Sequence, residues 1–151
     1  MKVSLITATF NSSNHIVDCL RSINNQTYTN IEHIVIDGGS SDKTIDLVNT
    51  NSIYLKHLVS ETDKGIYDAL NKGVKLASGD IIGFVHSDDF LKSNDIILQI
   101  VREIKSHNLD GLYGDLVYVN KKETTKVIRY WKSQYFEYDT LSKGWMPPHP
   151  T

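Results

Sequence analysis

Short apolar runs rich in β-branched residues alternate with segments of helical periodicity, and this alternation limits the fold more than any other feature of the chain. Five runs predict strands: 2–7, 31–37, 53–59, 81–85 and 111–119. Four segments between them have apolar residues at helical spacing: 16–25, a short segment with Ile45 and Val48, 65–76 and 94–107. Along 65–76, Ile66, Leu70 and Val74 lie roughly in line. Such alternation is typical of βαβ units on a parallel sheet, so the sequence predicts the α/β class.

The composition is that of a globular protein, and the length of 151 residues fits a single domain. Sixteen basic and 18 acidic residues give a net charge of −2, which does not suggest nucleic-acid binding. No apolar run approaches the roughly 20 residues of a membrane span, so a cytoplasmic location is predicted. The single cysteine, Cys19, lies at helical spacing with apolar residues and is predicted to be a core residue.

Polar residues follow the first four predicted strands at the point where each strand ends. In an open α/β sheet, ligands bind at the carboxyl ends of the strands. We therefore expect four groups to line one crevice: Thr7, Thr9 and Asn11; Asp37 and the GGSSD that follows it; Glu61, Asp63 and Lys64; and His86, Ser87, Asp88 and Asp89. Four such groups in register are harder to obtain by chance than one.

The adjacent carboxylates of Asp88 and Asp89 end a predicted buried strand, where two like charges are costly without a partner. A divalent cation binds oxygen ligands and bridges carboxylate and phosphate oxygens. The pair therefore predicts a metal ion that carries a phosphorylated ligand. Two other phosphate motifs do not fit, because Asp42 stands where a Walker-type loop requires glycine and no G-x-G-x-x-G is present.

Simpler interpretations stay open for several of these residues. Asp37 precedes two glycines and is compatible with an Asx-type turn, and Asp89 is compatible with a cap on the following helix. Core or surface positions are predicted for the histidines that lie within helix or strand segments: His15, His33, His57 and His107.

Three segments together resemble the family 2 nucleotide-sugar glycosyltransferases of the GT-A fold: VSLITATFNS, HIVIDGGSSDKT and SETDKGIYDALNKGVKLASGDIIGFVHSDD. They follow the family's order across nearly the whole chain. The resemblance implies a Rossmann-type, mostly parallel sheet flanked by helices in a single domain. Residues 1–119 would form the nucleotide-sugar-binding core, and residues 120–151 would begin an acceptor-side region.

The resemblance also implies roles for individual residues, in three sets. A uridine-type pocket would be formed by Thr7, Thr9, Asn11 and Asp37. The residues beside the ribose and diphosphate would be Asp63, Lys64 and Asn71. The D-x-D element would fall on His86, Ser87 and Asp88. In this last set Asp88 would be the main ligand of Mn²⁺ or Mg²⁺, and the imidazole of His86, at the first position, would suit Mn²⁺ better.

The implied activity is inverting transfer of a sugar from a nucleoside-diphosphate sugar, a UDP-sugar above all, to a hydroxyl of a glycan or lipid-linked acceptor. The implied setting is bacterial surface-polysaccharide synthesis, with peripheral association at the inner face of the membrane. The competing hypothesis is a truncated module that binds nucleotide-sugar without turnover. A nucleotidyltransferase is disfavoured, because TATFNSSN lacks the glycine and basic charge of the expected N-terminal loop.

The end of the chain bears on the catalytic base. In the family, an acidic base lies beyond a segment such as WMPPHPT, so we expect the base after Thr151, and Asp89 is the only candidate near the site within the sequence. His149 in this segment would close over the metal and the diphosphate in a complete domain.

Overall fold

Four parallel strands form one sheet in the computed structural model, which describes residues 1–147. These strands are β1 (Val3–Thr9), β2 (Ile31–Asp37), β3 (Leu55–Ser60) and β4 (Ile81–Phe84). Their order in the sheet is β3-β2-β1-β4. Every residue of β1 and β2 is buried, as expected for central strands that have helices on both faces. The predicted α/β class with a mostly parallel sheet is confirmed.

Four helices connect and cover these strands: α1 (Ile16–Asn24), α2 (Thr44–Asn51), α3 (Ile66–Leu76) and α4 (Ile96–His107). Because side chains alternate along a strand, Leu5 of β1 packs in one cluster with Cys19 of α1 and Val101 of α4. Ile6 packs on the other face with Leu70 of α3. The core therefore lies on both sides of the sheet, and the carboxyl ends of its strands stay uncovered by these helices.

Helix α3 packs closely against the sheet at Gly73. A Cβ atom added at Gly73 would lie 2.5 Å from Cγ2 of Ile6, so only glycine fits at this contact. The helix face that meets the sheet consists of Ala69, Leu70 and Gly73. Ile66 and Val74, which lie roughly in line with Leu70 in the sequence, are 47% and 39% exposed.

One buried carboxylate, that of Glu32, holds together the amino ends of the strands. It forms an ion pair with Lys2 and accepts hydrogen bonds from Ser4 Oγ at 2.5 Å and Ser78 N at 2.7 Å. Burial alone would raise the pKa of Glu32, but the hydrogen bonds from Lys2, Ser4 and Ser78 lower it to about 2. The amino end of the sheet is therefore held by a buried, charged network.

The chain divides into two units, Met1–Asn108 and Leu109–Thr151. The second unit contains β5 (Leu116–Val119), β6 (Val127–Trp131) and the short helix α5 (Tyr138–Ser142). The strand predicted at 111–119 is shorter than expected and pairs antiparallel with β6, which the sequence did not predict. No helix within residues 1–147 is long and apolar enough to span a membrane.

Candidate functional site

Four hydrogen bonds join the loop after β1 to the loop after β2. Their donors and acceptors are Asn11 N to Ser40 Oγ (2.7 Å), Ser41 N to Asn11 Oδ1 (2.9 Å), Ser12 N to Thr44 Oγ1 (2.8 Å) and Ser13 N to Asp42 Oδ2 (3.0 Å). Asn11 has a φ of 48°, in the left-handed region that asparagine tolerates better than most residues. Asn11 thus connects two strand ends at the edge of the site.

Asp42 shows why this loop differs from a Walker-type loop. Its Oδ1 accepts hydrogen bonds from the Thr44 hydroxyl at 2.5 Å and from Thr44 N at 2.9 Å. These bonds, above all the one from the Thr44 hydroxyl, lower the pKa of the Asp42 carboxyl. The carboxylate occupies the backbone N–H of Thr44 at the start of α2, so this donor is not available to a phosphate.

Asp37 is fully buried, and its carboxylate connects the ends of β2 and β3. Its Oδ2 accepts hydrogen bonds from Gly39 N at 3.1 Å, Ser40 N at 2.8 Å and Ser60 Oγ at 2.7 Å. The Ser40 hydroxyl donates to Oδ1. The bond from Gly39 forms the Asx-type turn that the sequence left open. Asp37 therefore shapes the site through its loops, and its direct contact with a nucleotide stays a prediction.

Two threonines on the same face of β1 have opposite hydrogen-bonding states. The Thr7 hydroxyl is fully buried and lies 2.9 Å from His33 Nε2 and 2.6 Å from the Val85 carbonyl oxygen. The Thr9 hydroxyl, at the strand end, is also buried but has no hydrogen-bond partner among residues 1–147. Thr7 is therefore a core residue, whereas the Thr9 hydroxyl is an unsatisfied polar group at the carboxyl end of β1.

The ends of β1, β2 and β3 meet at Gly38. A Cβ atom at this position would lie 3.1 Å from Oδ2 of Asp63 and 3.4 Å from Cδ2 of Phe10. The Phe10 side chain is 61% exposed, although it lies between two polar site residues. The sequence reasoning missed Phe10, and the available signal was this large aromatic residue at a strand end in an otherwise polar segment.

The remaining predicted donor-site residues lie beyond β3. Asp63 is half-buried and accepts a hydrogen bond from Gly65 N at 2.9 Å, which shapes the start of α3. Lys64 is exposed, and its backbone N–H donates to Asp68 Oδ2 at 3.1 Å. Asn71 is exposed in the middle of α3. The structure brings Asp63 next to Gly38 but gives neither Lys64 nor Asn71 a side-chain contact with the other predicted residues.

The turn after β4 presents one carboxylate to solvent. His86 and Ser87 are buried, Asp89 is half-buried and Asp88 is exposed. Asp89 N donates to the His86 carbonyl at 3.0 Å, and the Ser87 and Ser12 hydroxyls lie 2.9 Å apart. The Asp88 carboxylate makes no hydrogen bond or ion pair with residues 1–147. Since α4 begins at Ile96 after Asp95, the alternative that Asp89 caps this helix is wrong.

A cation at Asp88 would need more ligands than a cluster of side chains among residues 1–147 supplies. Among the described residues, no group of three or more His, Cys, Asp or Glu side chains could hold a metal ion. One exposed carboxylate at a strand end fits a hard cation that obtains its other ligands from phosphates and water. His149, the other histidine predicted for this role, lies outside the described residues.

Comparison with known proteins identifies the family. Residues 4–150 match the family described as Glycosyl transferase family 2. The chain belongs to this family. The resemblance of the three sequence segments to this family is therefore confirmed.

Curated relatives of this family 2 chain are longer than the chain itself. The PGL/p-HBAD biosynthesis glycosyltransferase of Mycobacterium bovis BCG is 37% identical over 118 residues, which are 76% of this chain and 46% of the relative. An uncharacterized glycosyltransferase of Haemophilus influenzae is 30% identical over 145 residues, which are 94% of this chain and 57% of the relative. The chain spans about half the length of these curated relatives.

Solved structures agree with the fold. S. aureus TarS 1-349, in complex with UDP-GlcNAc, has a TM-score of 0.66 and 29% identity, covering 72% of this chain and 32% of that chain. The mannosyltransferase PcManGT from Pyrobaculum calidifontis, in complex with GDP-Man and Mn²⁺, has a TM-score of 0.63 and covers 82% of this chain and 37% of that chain. At 22% identity, this second likeness shows the fold alone. The predicted GT-A fold is confirmed.

Proposed function

We propose that this family 2 chain binds a UDP-sugar at the carboxyl ends of its strands and acts as the donor half of an inverting glycosyltransferase. The observation that carries the proposal is the Thr9 hydroxyl, which is buried at the end of β1 without a partner among residues 1–147. An unpaired buried polar group costs about 1–3 kcal/mol, and a ligand that pairs with it removes this cost. The hydroxyl can donate or accept, as a nucleoside edge requires.

The surroundings of Thr9 suit a flat base and a ribose. The exposed ring of Phe10 offers an apolar face beside Gly38, and the Asp63 carboxylate lies beside the same residue. An aromatic face stabilises a stacked base by about 1–3 kcal/mol. Because Gly38 carries no side chain, these two groups can lie close together beside its backbone. The UDP-GlcNAc complex of TarS, a structure 29% identical to this chain, is further support for a uridine nucleotide.

The diphosphate would be bound with help from a divalent cation held by Asp88, and the exposed Lys64 would contribute positive charge. We infer Mn²⁺ or Mg²⁺, with His86 and His149 as further candidate ligands. When bound, the cation stabilises the negative charge that develops on the departing diphosphate. Asp88 suits this role because its carboxylate is exposed, whereas the Asp37 carboxylate is fully engaged by its loops.

In the proposed reaction, a hydroxyl of a glycan or lipid-linked acceptor attacks the anomeric carbon from the side opposite the diphosphate. The bond from that carbon to the diphosphate oxygen breaks, and the hydroxyl proton goes to a carboxylate base. Asp89 is a half-buried carboxylate in the turn that carries Asp88. Because Asp88 is the proposed ligand of the donor's cation, Asp89 would lie on the donor side of the site. We propose surface-polysaccharide synthesis at the inner face of the membrane as the setting.

Calorimetry with UDP tests the metal part of the proposal. Asp88→Asn should weaken UDP binding at least about tenfold in Mn²⁺, the effect of losing one charged contact, and leave binding in EDTA unchanged. Glu103→Gln is a matched control, because Glu103 is an exposed carboxylate in the second half of α4, well after the turn that carries Asp88. Equal losses in Mn²⁺ and EDTA would contradict the assignment of Asp88. UDP binding without sugar transfer would favour the alternative of a binding module.

A further inference from the structure

The contact between β1 and β4 changes in kind at the point where the candidate metal-binding turn begins. The two strands are in parallel register from Val3↔Ile81 to Ile6↔Phe84. Val85 N–H still donates to the Ile6 carbonyl at 3.0 Å. The carbonyl of Val85 is held by a side chain instead, because the Thr7 hydroxyl donates to it at 2.6 Å.

The hydrogen on each atom of this contact can be assigned. A carbonyl oxygen only accepts, so the single hydroxyl hydrogen of Thr7 goes to Val85. The Thr7 oxygen must then accept from His33 Nε2–H, which lies 2.9 Å away. In neutral His33 the other nitrogen, Nδ1, accepts from the Ser52 hydroxyl at 3.2 Å. The chain from Ser52 through His33 and Thr7 to Val85 is therefore ordered in one direction.

His33 is an unusual residue for its place in the core. Its side chain is fully buried in β2, and the three residues that follow it in the strand, Ile34, Val35 and Ile36, are apolar. Burial lowers the pKa of His33 to about 4, so the ring is neutral at pH 7 and its Nε2–H can stay the donor to Thr7. A buried imidazole costs free energy that an aliphatic side chain would not cost. The hydrogen bond between His33 and Thr7 offsets part of this free-energy cost.

This series of hydrogen bonds ends at the carbonyl of Val85, the residue just before His86, Ser87 and Asp88. We propose that His33 is a positioning residue, which holds the Thr7 hydroxyl on the Val85 carbonyl and thereby fixes the turn that presents Asp88. The second support of the turn is the contact between Ser87 and Ser12. The consequence for nucleotide binding rests on the proposed function, but the consequence for the turn does not.

The ordering of the turn can be measured without nucleotide or metal. The probe is hydrogen exchange of the Asp89 amide, which donates to the His86 carbonyl within the turn. After correction for global stability, His33→Leu and Thr7→Val should speed this exchange about tenfold, as expected for the loss of one buried hydrogen bond. His33→Gln keeps an amide N–H donor and should restore most of the protection. Ser4→Ala is the control, because its buried hydroxyl serves Glu32 at the other end of the sheet.

Nitrogen NMR of the wild type should show His33 as the Nε2–H tautomer, and the Nδ1–H tautomer would overturn the proposal. Equal Asp89 exchange in His33→Leu and Ser4→Ala would also overturn it and leave His33 as a core residue. Calorimetry adds the functional readout: His33→Leu should reduce the gain in UDP affinity that Mn²⁺ provides, with affinity in EDTA unchanged. If the wild type fails to bind UDP, the proposed function fails while the exchange result still decides the role of His33.

Discussion

Replacing Thr9 by valine should make the protein more stable and a poorer nucleotide binder. The Thr9 side chain is 6% exposed, and its hydroxyl has no partner among residues 1–147. Removing an unsatisfied buried hydroxyl while keeping the branched shape should raise the free energy of unfolding by about 1 kcal/mol. Losing its hydrogen bond to bound UDP should lower the affinity by about tenfold. Urea unfolding measures the first quantity, and calorimetry with UDP measures the second.

Thr7→Val is the matched control for this prediction, since Thr7 lies two residues earlier on the same face of β1. Its hydroxyl contacts His33 and the Val85 carbonyl, so its removal leaves a buried donor and a buried acceptor unpaired. This loss should lower the free energy of unfolding by about 2–3 kcal/mol. The reasoning is refuted if Thr9→Val destabilises the protein as Thr7→Val does while UDP affinity stays the same.

Three further predictions concern the frame of the site. The pKa of Glu32 is lowered from 4.5 to about 2, so its stabilisation is complete above pH 4.5 and is lost as the pH falls towards 2. Glu32→Gln should therefore lose about 3 kcal/mol at pH 7 and unfold with a shallower pH dependence in acid, which urea titrations at pH 7 and pH 3 measure. Asp37→Ala should lower both the melting temperature and UDP affinity, because the carboxylate holds two loops; unchanged melting would contradict this. Gly73→Ala should cost about 1–3 kcal/mol by overpacking against Ile6, and Gly111→Ala, with open space around it, should cost almost nothing in the same assay.

The sequence predicted the parallel sheet because its strand runs and its helical periodicity were both clear. Strands β1 and β2 are rich in β-branched and other apolar residues, and α1 and α4 carry regular apolar faces that end at asparagine. The fifth strand was assigned to the wrong sheet because periodicity identifies a strand but not its partner. Strand β6 has all five residues exposed, so no alternation between a buried and an exposed face marks it.

The sequence could predict which polar residues lie at the carboxyl ends of the strands but not the hydrogen bonds that they make. The rule that ligands bind at carboxyl strand ends brought Thr9, Asp37 and Asp63 to one edge of the sheet. It could not reveal that the partners of Asp37 include Ser60, which is 23 residues away along the chain. Nor could it separate Thr7 from Thr9, because two threonines of similar spacing differ only in the neighbours that the fold supplies. Exposure and hydrogen-bond partners come from tertiary packing, which a single sequence does not encode locally.

The bonds between the loops after β1 and β2 bear on the kinetics of binding. Hydrogen bonds within the protein itself connect Asn11, Ser12 and Ser13 to the segment after β2. A ligand therefore has little loop entropy to remove at this wall of the site. Association at such a wall is limited by diffusion and orientation, since no slow rearrangement must come first. Substitutions that cut these bonds would then show themselves as slower association, even where the final complex keeps every contact.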